Sequence, residues 1–178
     1  MSRSIEQTLI EFSSSKLRQL CARIEACLGK LADDQIWWRA GEHSNAIGNL
    51  CLHLAGNVRQ WILHGVGGAE DVRTRDAEFA ATGAMIRDEL LGCLRETVDA
   101  ACVVLDTLPR KRLLETITPQ NYTVTVCEAI LHVVEHFAQH TGQIILLTKA
   151  LTGEDLGFYA HLSGTAMPPQ PPRGQQRP

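Results

Sequence analysis

Apolar residues recur at helical spacing in four long stretches of the chain. In residues 5–31, Ile5, Leu9, Phe12, Leu17, Leu20, Ile24 and Leu28 fall on one face, and no glycine or proline intervenes before Gly29. This predicts a first amphipathic helix. Residues 32–43, with Asp33-Asp34, Trp37-Trp38 and Gly41, read as a connection whose tryptophans tuck against the helices. Ser44 or Asn45 is placed to cap a second helix running to about His64, where Gly65 and Gly67-Gly68 supply a stop. A third helix spans about 84–108, with Met85, Leu90 or Leu91, Leu94, Val98, Cys102 and Leu105 on one face and Pro109 as its end. Thr125-Val126-Cys127-Glu128 matches a capping box and starts a fourth helix, which reaches about Leu151 and closes at Gly153.

Between these helices, residues 65–83 read as a polar loop. Its charges, from Glu70 to Glu78, alternate in sign, and the pattern predicts order through internal ion pairs. Residues 110–122 are rich in threonine and read as a loop with one extended stretch, too short for a sheet of its own. A short helical turn is expected within 154–161. Beyond it, Pro168, Pro169, Pro171, Pro172 and Pro178 stand among Gln and Arg, a composition that buries no apolar area and predicts a disordered tail. With no alternating strand pattern and no internal repeat, the architecture expected is an all-α four-helix bundle over residues 1–164, followed by the Pro-rich tail 165–178.

A chain of 178 residues makes roughly one domain and buries about 70% of its unfolded surface, so it folds without a metal or a disulfide. Any bound metal is therefore functional. Seventeen Lys+Arg stand against 20 Asp+Glu, with no basic block, so nucleic acid is not an expected partner. The six cysteines show no CxxC and read as small core residues with free thiols. No apolar run approaches the roughly 18 residues of a membrane span and the first residues lack a signal core, so a cytoplasmic location away from the membrane is expected.

The candidate chemistry lies in the histidines. His132, His136 and His140 stand one every four residues on the fourth helix. Each such step turns about 40° past a full turn and rises about 6 Å, so adjacent members share a face and can share a metal. The outer two are about 12 Å apart along the axis, too far for two imidazoles held about 2.1 Å from one ion. The metal pair is therefore His132/His136 or His136/His140. A catalytic divalent site usually takes three protein ligands and leaves a position open. His53 is the best third donor, because its second-helix neighbours are apolar and an unpaired buried imidazole is costly. His43, His64 and His161 read as surface residues. Neither HExxH nor the di-iron ExxH pattern is present.

The stretch from His132 to Ile144, with His136-Phe137-Ala138-Gln139-His140-Thr141-Gly142-Gln143, resembles the HxxxHxGQ signature of the DinB/YfiT-like superfamily. The segment from Asn45 to Asn57 is similar to that family's second-helix histidine region. Arg73-Thr74-Arg75-Asp76-Ala77-Glu78-Phe79 is similar to the R-x-R-D-x-E-F loop of one of its branches. The resemblance covers about residues 5–164. It implies a bundle of the DinB/YfiT-like type, often dimeric, with a divalent ion such as Zn, Ni, Fe or Mn held by His53, His136 and His140, and with His132 lining the pocket one turn up. It also implies thiol S-transferase chemistry, in which a low-molecular-weight thiol such as bacillithiol, mycothiol or glutathione reacts with a small electrophile. A metal-dependent hydrolase differs only in letting water take the open position. A helical stress-response or interaction protein with a structural metal site is the alternative outside enzymes.

Three further residues flank the candidate ligands. Gln143, three residues after His140, either hydrogen-bonds a ligand imidazole or packs between helices. Asn49 and Asn57 stand four residues either side of His53, where they orient the ring, contact substrate or, as favoured here, make ordinary interhelical hydrogen bonds. Arg73, Arg75, Asp76 and Glu78 could hold an anionic thiol, but are expected to make loop-fixing salt bridges. Trp37, Trp38 and Trp61 are expected in the core or at a dimer interface.

Overall fold

The computed structural model of the chain describes residues 3–83 and 85–162. The expected tail and the domain boundary at residue 164 lie outside the described residues. Among the described residues six α-helices form in chain order: α1 (Ile5–Leu28), α2 (Asp33–Ile36), α3 (Ile47–Val58), α4 (Arg75–Ala80), α5 (Arg87–Asp106) and α6 (Val126–Thr152). The four long ones make the bundle, with α1 packed on α5 and α6, and α3 packed on the same two. Leu17 and Ile24 of α1, Leu54 of α3, Leu94 and Leu105 of α5, and Ile130 and Phe137 of α6 are fully buried between them.

The helix starts follow local hydrogen bonding. Ser4 Oγ accepts from Gln7 N at 3.3 Å to open α1. At α6 the capping box forms as expected: Thr125 Oγ1 accepts from Glu128 N at 3.2 Å, and Glu128 Oε2 accepts from Thr125 N at 2.7 Å. Gly153, at φ 70°, closes that helix in the left-handed conformation its missing side chain permits. Neither Ser44 nor Asn45 caps α3. The chain enters at Ala46, whose N–H is taken by Asn49 Oδ1 at 3.1 Å.

The second predicted helix does not stay α-helical. After Val58 it widens into a π-helical segment, Arg59–Val66, in which Ile62 O accepts from Gly67 N five residues on, at 2.8 Å. Such widening re-aims the side chains of one stretch relative to the helix before it. Here the stretch contains Trp61, which is buried.

Two loop expectations are corrected. Within the polar loop, residues Arg75–Ala80 form the short helix α4, because buried Asn49 Nδ2 donates to Glu78 O and Ala81 O, each at 2.9 Å, and draws the carbonyls at its end against α3. Residues 110–125 hold a 3₁₀ turn, Arg110–Leu114, and a two-stranded antiparallel ribbon, β1 (Thr116–Ile117) with β2 (Val124–Thr125), Thr116 facing Thr125. The reversal needs two consecutive residues at positive φ, Gln120 (50°) and Asn121 (65°), a conformation that asparagine tolerates better than most. A methyl group on Gly65 would lie 3.2 Å from Pro119 Cβ, so the ribbon's turn rests directly on the π-helical segment.

All six cysteines are free, four of them buried, and burial pushes the Cys21 thiol up to about 11. Among the described residues no helix is long and apolar enough to cross a membrane. A 3₁₀ turn, Ala160–Leu162, follows the bundle close to the expected position.

Phe137 is the largest fully buried side chain among the described residues and stands between His136 and His140 in the sequence of α6. Phe137→Ala should cost about 3–5 kcal/mol, read as a lower urea midpoint with an unchanged slope. A shift below about 1 kcal/mol would mean the α6 seam is loosely packed.

Candidate metal centre

Residues from two helices of the bundle meet in one cluster. His53 comes from the middle of α3 and is 6% exposed, while His136 and His140 come from successive turns of α6 and are half-buried. His53 Nε2 and His136 Nε2 are 2.9 Å apart. One ring nitrogen from each of His53, His136 and His140 lies within 4.8 Å of the others. His132 stands apart, its ring 4.1 Å from that of Trp61 and stacked 5.6 Å from that of His136. Of the two pairs the spacing allows, the fold thus gathers His136 and His140 around His53. His43 and His161 are exposed, and His64 Nδ1 donates to Ala69 O at 2.7 Å.

Behind this cluster lies a residue that sequence reading assigned to the loop alone. Glu78 of α4 is buried, and its Oε2 accepts from His53 Nδ1 at 3.0 Å. Arg73 binds the same carboxylate twice, Nε to Oε1 at 2.7 Å and Nη2 to Oε2 at 2.9 Å, while its Nη1 donates to Gln60 Oε1 at 2.9 Å. Arg73 Nη2 is also 3.1 Å from His53 Nδ1, but both nitrogens carry hydrogen toward Glu78 and do not bond each other. The expected ion pair of the loop therefore exists, and it holds a histidine as well. A Glu following the R-x-R-D pattern was visible, but no spacing rule places a loop carboxylate against a helix.

Asn49 makes the structural bonds favoured for it. Besides the α4 carbonyls, it accepts from Arg39 Nη2 at 3.0 Å and does not touch the His53 ring. Gln143 takes the more chemical of its two options, with Oε1 accepting from His140 Nδ1 at 2.8 Å. Asn57 makes no interhelical bond: its Oδ1 is buried without a partner among the described residues.

These contacts set the state of the imidazoles. Burial pushes Glu78 up, but the hydrogen bonds from Arg73 and His53 outweigh it and hold the carboxyl below its ordinary value. An ionised Glu78 is acceptor-only, so the proton of His53 sits on Nδ1 and the Nε2 lone pair faces His136. Gln143 likewise fixes the proton of His140 on Nδ1 and frees Nε2. Burial, then the positive fields of His140, His53, His132 and Arg73, push His136 down to about 3. Burial also lowers His140 and His132. Neutral imidazoles with their second nitrogens anchored are the donor form a metal takes. The 2.9 Å between two such nitrogens requires a hydrogen or a cation between them. The residues fit a metal ion.

Two members of the cluster, His53 and His136, line a cavity of about 480 Å³. Trp61, Tyr122 and His132 line one side, Arg73 and Arg75 another, and Gln120 receives the Trp61 indole N–H at 3.2 Å. Trp61 is thus a cavity wall as well as a core residue. Trp37 packs over Gly48 and donates to Met85 O at 2.9 Å, while Trp38 is exposed.

The bundle has the fold of DinB-like proteins of known structure. It matches the structure of a conserved protein from Enterococcus faecalis at a TM-score of 0.68 and 16% identity, covering 86% of this chain and 100% of that one. A DinB-like protein from Bacillus cereus matches at 0.65 and 16% identity, with 88% and 97% covered. A mutant of the mycothiol-dependent maleylpyruvate isomerase matches at 0.61 and 14% identity, covering 76% of this chain and 60% of that one. No curated protein matches the sequence. Residues 4–163 match the family described as "Protein of unknown function (DUF1572)", and the chain belongs to that family.

A methyl group on Gly56 would fall 1.9 Å from Glu78 Oε1 and 3.0 Å from Arg73 Nε. Gly56→Ala should therefore displace the ion pair and cost about 3 kcal/mol or more in thermal unfolding. Gly142→Ala, with nothing within 4 Å, should be neutral or stabilising by up to about 1 kcal/mol. A second outcome follows from His136. Unfolded, its ring takes a proton near 6.5; folded, it refuses one until about 3. Metal-free protein should keep this contribution above pH 6.5 and lose it as pH falls toward 3. In melting curves, His136→Gln should flatten that acid loss, and parallel curves would show a ring that protonates freely in the folded state.

Proposed function

We propose that this protein is a metal-dependent enzyme of the thiol S-transferase type. Three imidazoles converging from two helices, two of them anchored through Nδ1, carry the proposal. His53, His136 and His140 are its ligands for a divalent ion, of which zinc, nickel, iron and manganese suit an all-imidazole set. Bound there, such an ion acts as a Lewis acid that favours thiolate over thiol at neutral pH, where a free thiol near pKa 8.5 is mostly protonated. Glu78 and Arg73 hold the His53 tautomer, and Gln143 holds that of His140. The aromatic wall of Trp61, Tyr122 and His132 gives a substrate an apolar face and limits water on that side. The mycothiol-dependent neighbour supports a low-molecular-weight thiol as co-substrate, with a small electrophile as acceptor.

Untagged protein should carry about one ion per chain by plasma mass spectrometry, lost in His53→Ala and His140→Ala and kept in His132→Ala. Glu78→Gln should lower metal affinity about 10- to 100-fold by releasing His53. Metal-loaded protein screened with bacillithiol, mycothiol and glutathione against electrophiles should turn over only with a thiol. Turnover without any thiol would make it a hydrolase. Metal that raises the melting temperature while no substrate reacts would leave a structural site.

A further inference from the structure

The charges lining the cavity are not equally engaged. Arg73 is 2% exposed at its side chain and closed on Glu78. Glu128 Oε2 is taken by Thr125 N and by Thr125 Oγ1 at 2.8 Å, so that carboxylate belongs to the start of α6. Arg75 has neither commitment. It was expected to make a loop-fixing salt bridge, yet no carboxylate pairs with it among the described residues. Its guanidinium instead lies 4.9 Å from the centroid of the Phe79 ring, which is itself 4.7 Å from the His53 ring. Stacking on Phe79 satisfies the flat face of the guanidinium and leaves its N–H edge free, the edge that grips a carboxylate.

A second group in the same lining is also unspent. Asn57 is 4% exposed, and its Oδ1 has no hydrogen-bond partner among the described residues. A buried amide oxygen without a donor costs stability unless something else supplies the hydrogen. Asn57 lies one helical turn beyond His53 on α3, and both residues line the same cavity.

From these two observations we infer that the cavity binds a small organic carboxylate, held by Arg75 at the carboxylate and by Asn57 Oδ1 at an N–H or O–H of the same molecule. The class fits the space: about 480 Å³ admits a molecule of amino-acid to tripeptide size, not a polymer. The aromatic wall takes the apolar part between the two polar anchors. This deepens the thiol-transferase reading and rests on it for the identity of the third anchor, a thiol placed at the histidines. The assignment of Arg75 and Asn57 stands on their own unpaired atoms.

The test is an NMR titration of the zinc-reconstituted full chain, following the Trp61 indole N–H, assigned by its loss in Trp61→Phe. Four probes separate the anchors: propionate, 3-mercaptopropionate, 3-mercaptopropionamide and N-acetylcysteine. In the wild type, 3-mercaptopropionate should bind about tenfold tighter than its neutral amide. Arg75→Gln, at an exposed position whose guanidinium stacks on the Phe79 ring and pairs with no carboxylate among the described residues, should weaken 3-mercaptopropionate about tenfold and leave the amide unchanged. N-acetylcysteine, which adds an amide N–H, should bind more tightly than 3-mercaptopropionate, and Asn57→Ala should erase that advantage while retaining the wild-type fold by circular dichroism. Equal binding of acid and amide, an Arg75→Gln effect of the same size on both, or no binding of any carboxylate overturns the inference. If propionate binds as tightly as 3-mercaptopropionate and Arg75→Gln weakens both, the carboxylate site stands and the thiol reading falls.

Discussion

The buried carboxylate of Glu78 is the constraint from which the site follows. A carboxylate removed from water is costly unless every acceptor position is used and a cation stands beside it. Here Arg73 occupies both oxygens and His53 shares one of them. The three charges and dipoles therefore settle together or not at all. Their closure turns a polar loop into the short helix α4, holds that helix against α3, and leaves His53 with one tautomer. Asn49 and Arg39 reinforce it from the backbone side by taking the carbonyls of residues 78, 79 and 81. Gly56 makes it sterically feasible, since the carboxylate occupies the place where any other side chain would begin.

That arrangement explains why the histidine cluster is electrically quiet. Arg73 and Glu78 cancel, and burial together with mutual repulsion keeps the α6 rings neutral. Of the two guanidinium groups among the described residues lining the pocket, Arg73 is paired with Glu78 and Arg75 is paired with no carboxylate. The inferred carboxylate site rests on the aromatic wall and on this uncommitted cation among the described lining residues. The π-helical segment contributes by carrying Trp61 into that wall, and the Gln120–Asn121 reversal sets Gln120 and Tyr122 against it.

The bundle is shared with structures only 14–16% identical, so backbone architecture survives where almost every side chain has changed. Four amphipathic helices around one core tolerate such drift, because volume and patterning suffice to pack them. Function does not travel on the backbone alone. In this chain it has to be argued from His53, His136 and His140 and from the residues that aim them.

Much of this was legible in the sequence because it depends on local chemistry. Helical periodicity placed the four long helices, the Thr125–Glu128 box marked the start of α6, and the four-residue spacing put His136 beside both its neighbours on one face. The apolar surroundings of His53 marked it as a buried imidazole in need of a partner. Periodicity alone could not choose between His132 and His140, since both lie one step from His136; the choice depended on where α3 crosses α6. Nor could it show that Glu78 reaches back 25 residues to His53, that Arg75 stays unpaired while Arg73 does not, or that Asn57 is left without a donor. Those facts belong to tertiary structure, because the partner of a long charged or amide side chain is set by which helices meet and at what angle, whereas the repeat that makes each helix is written in its own residues.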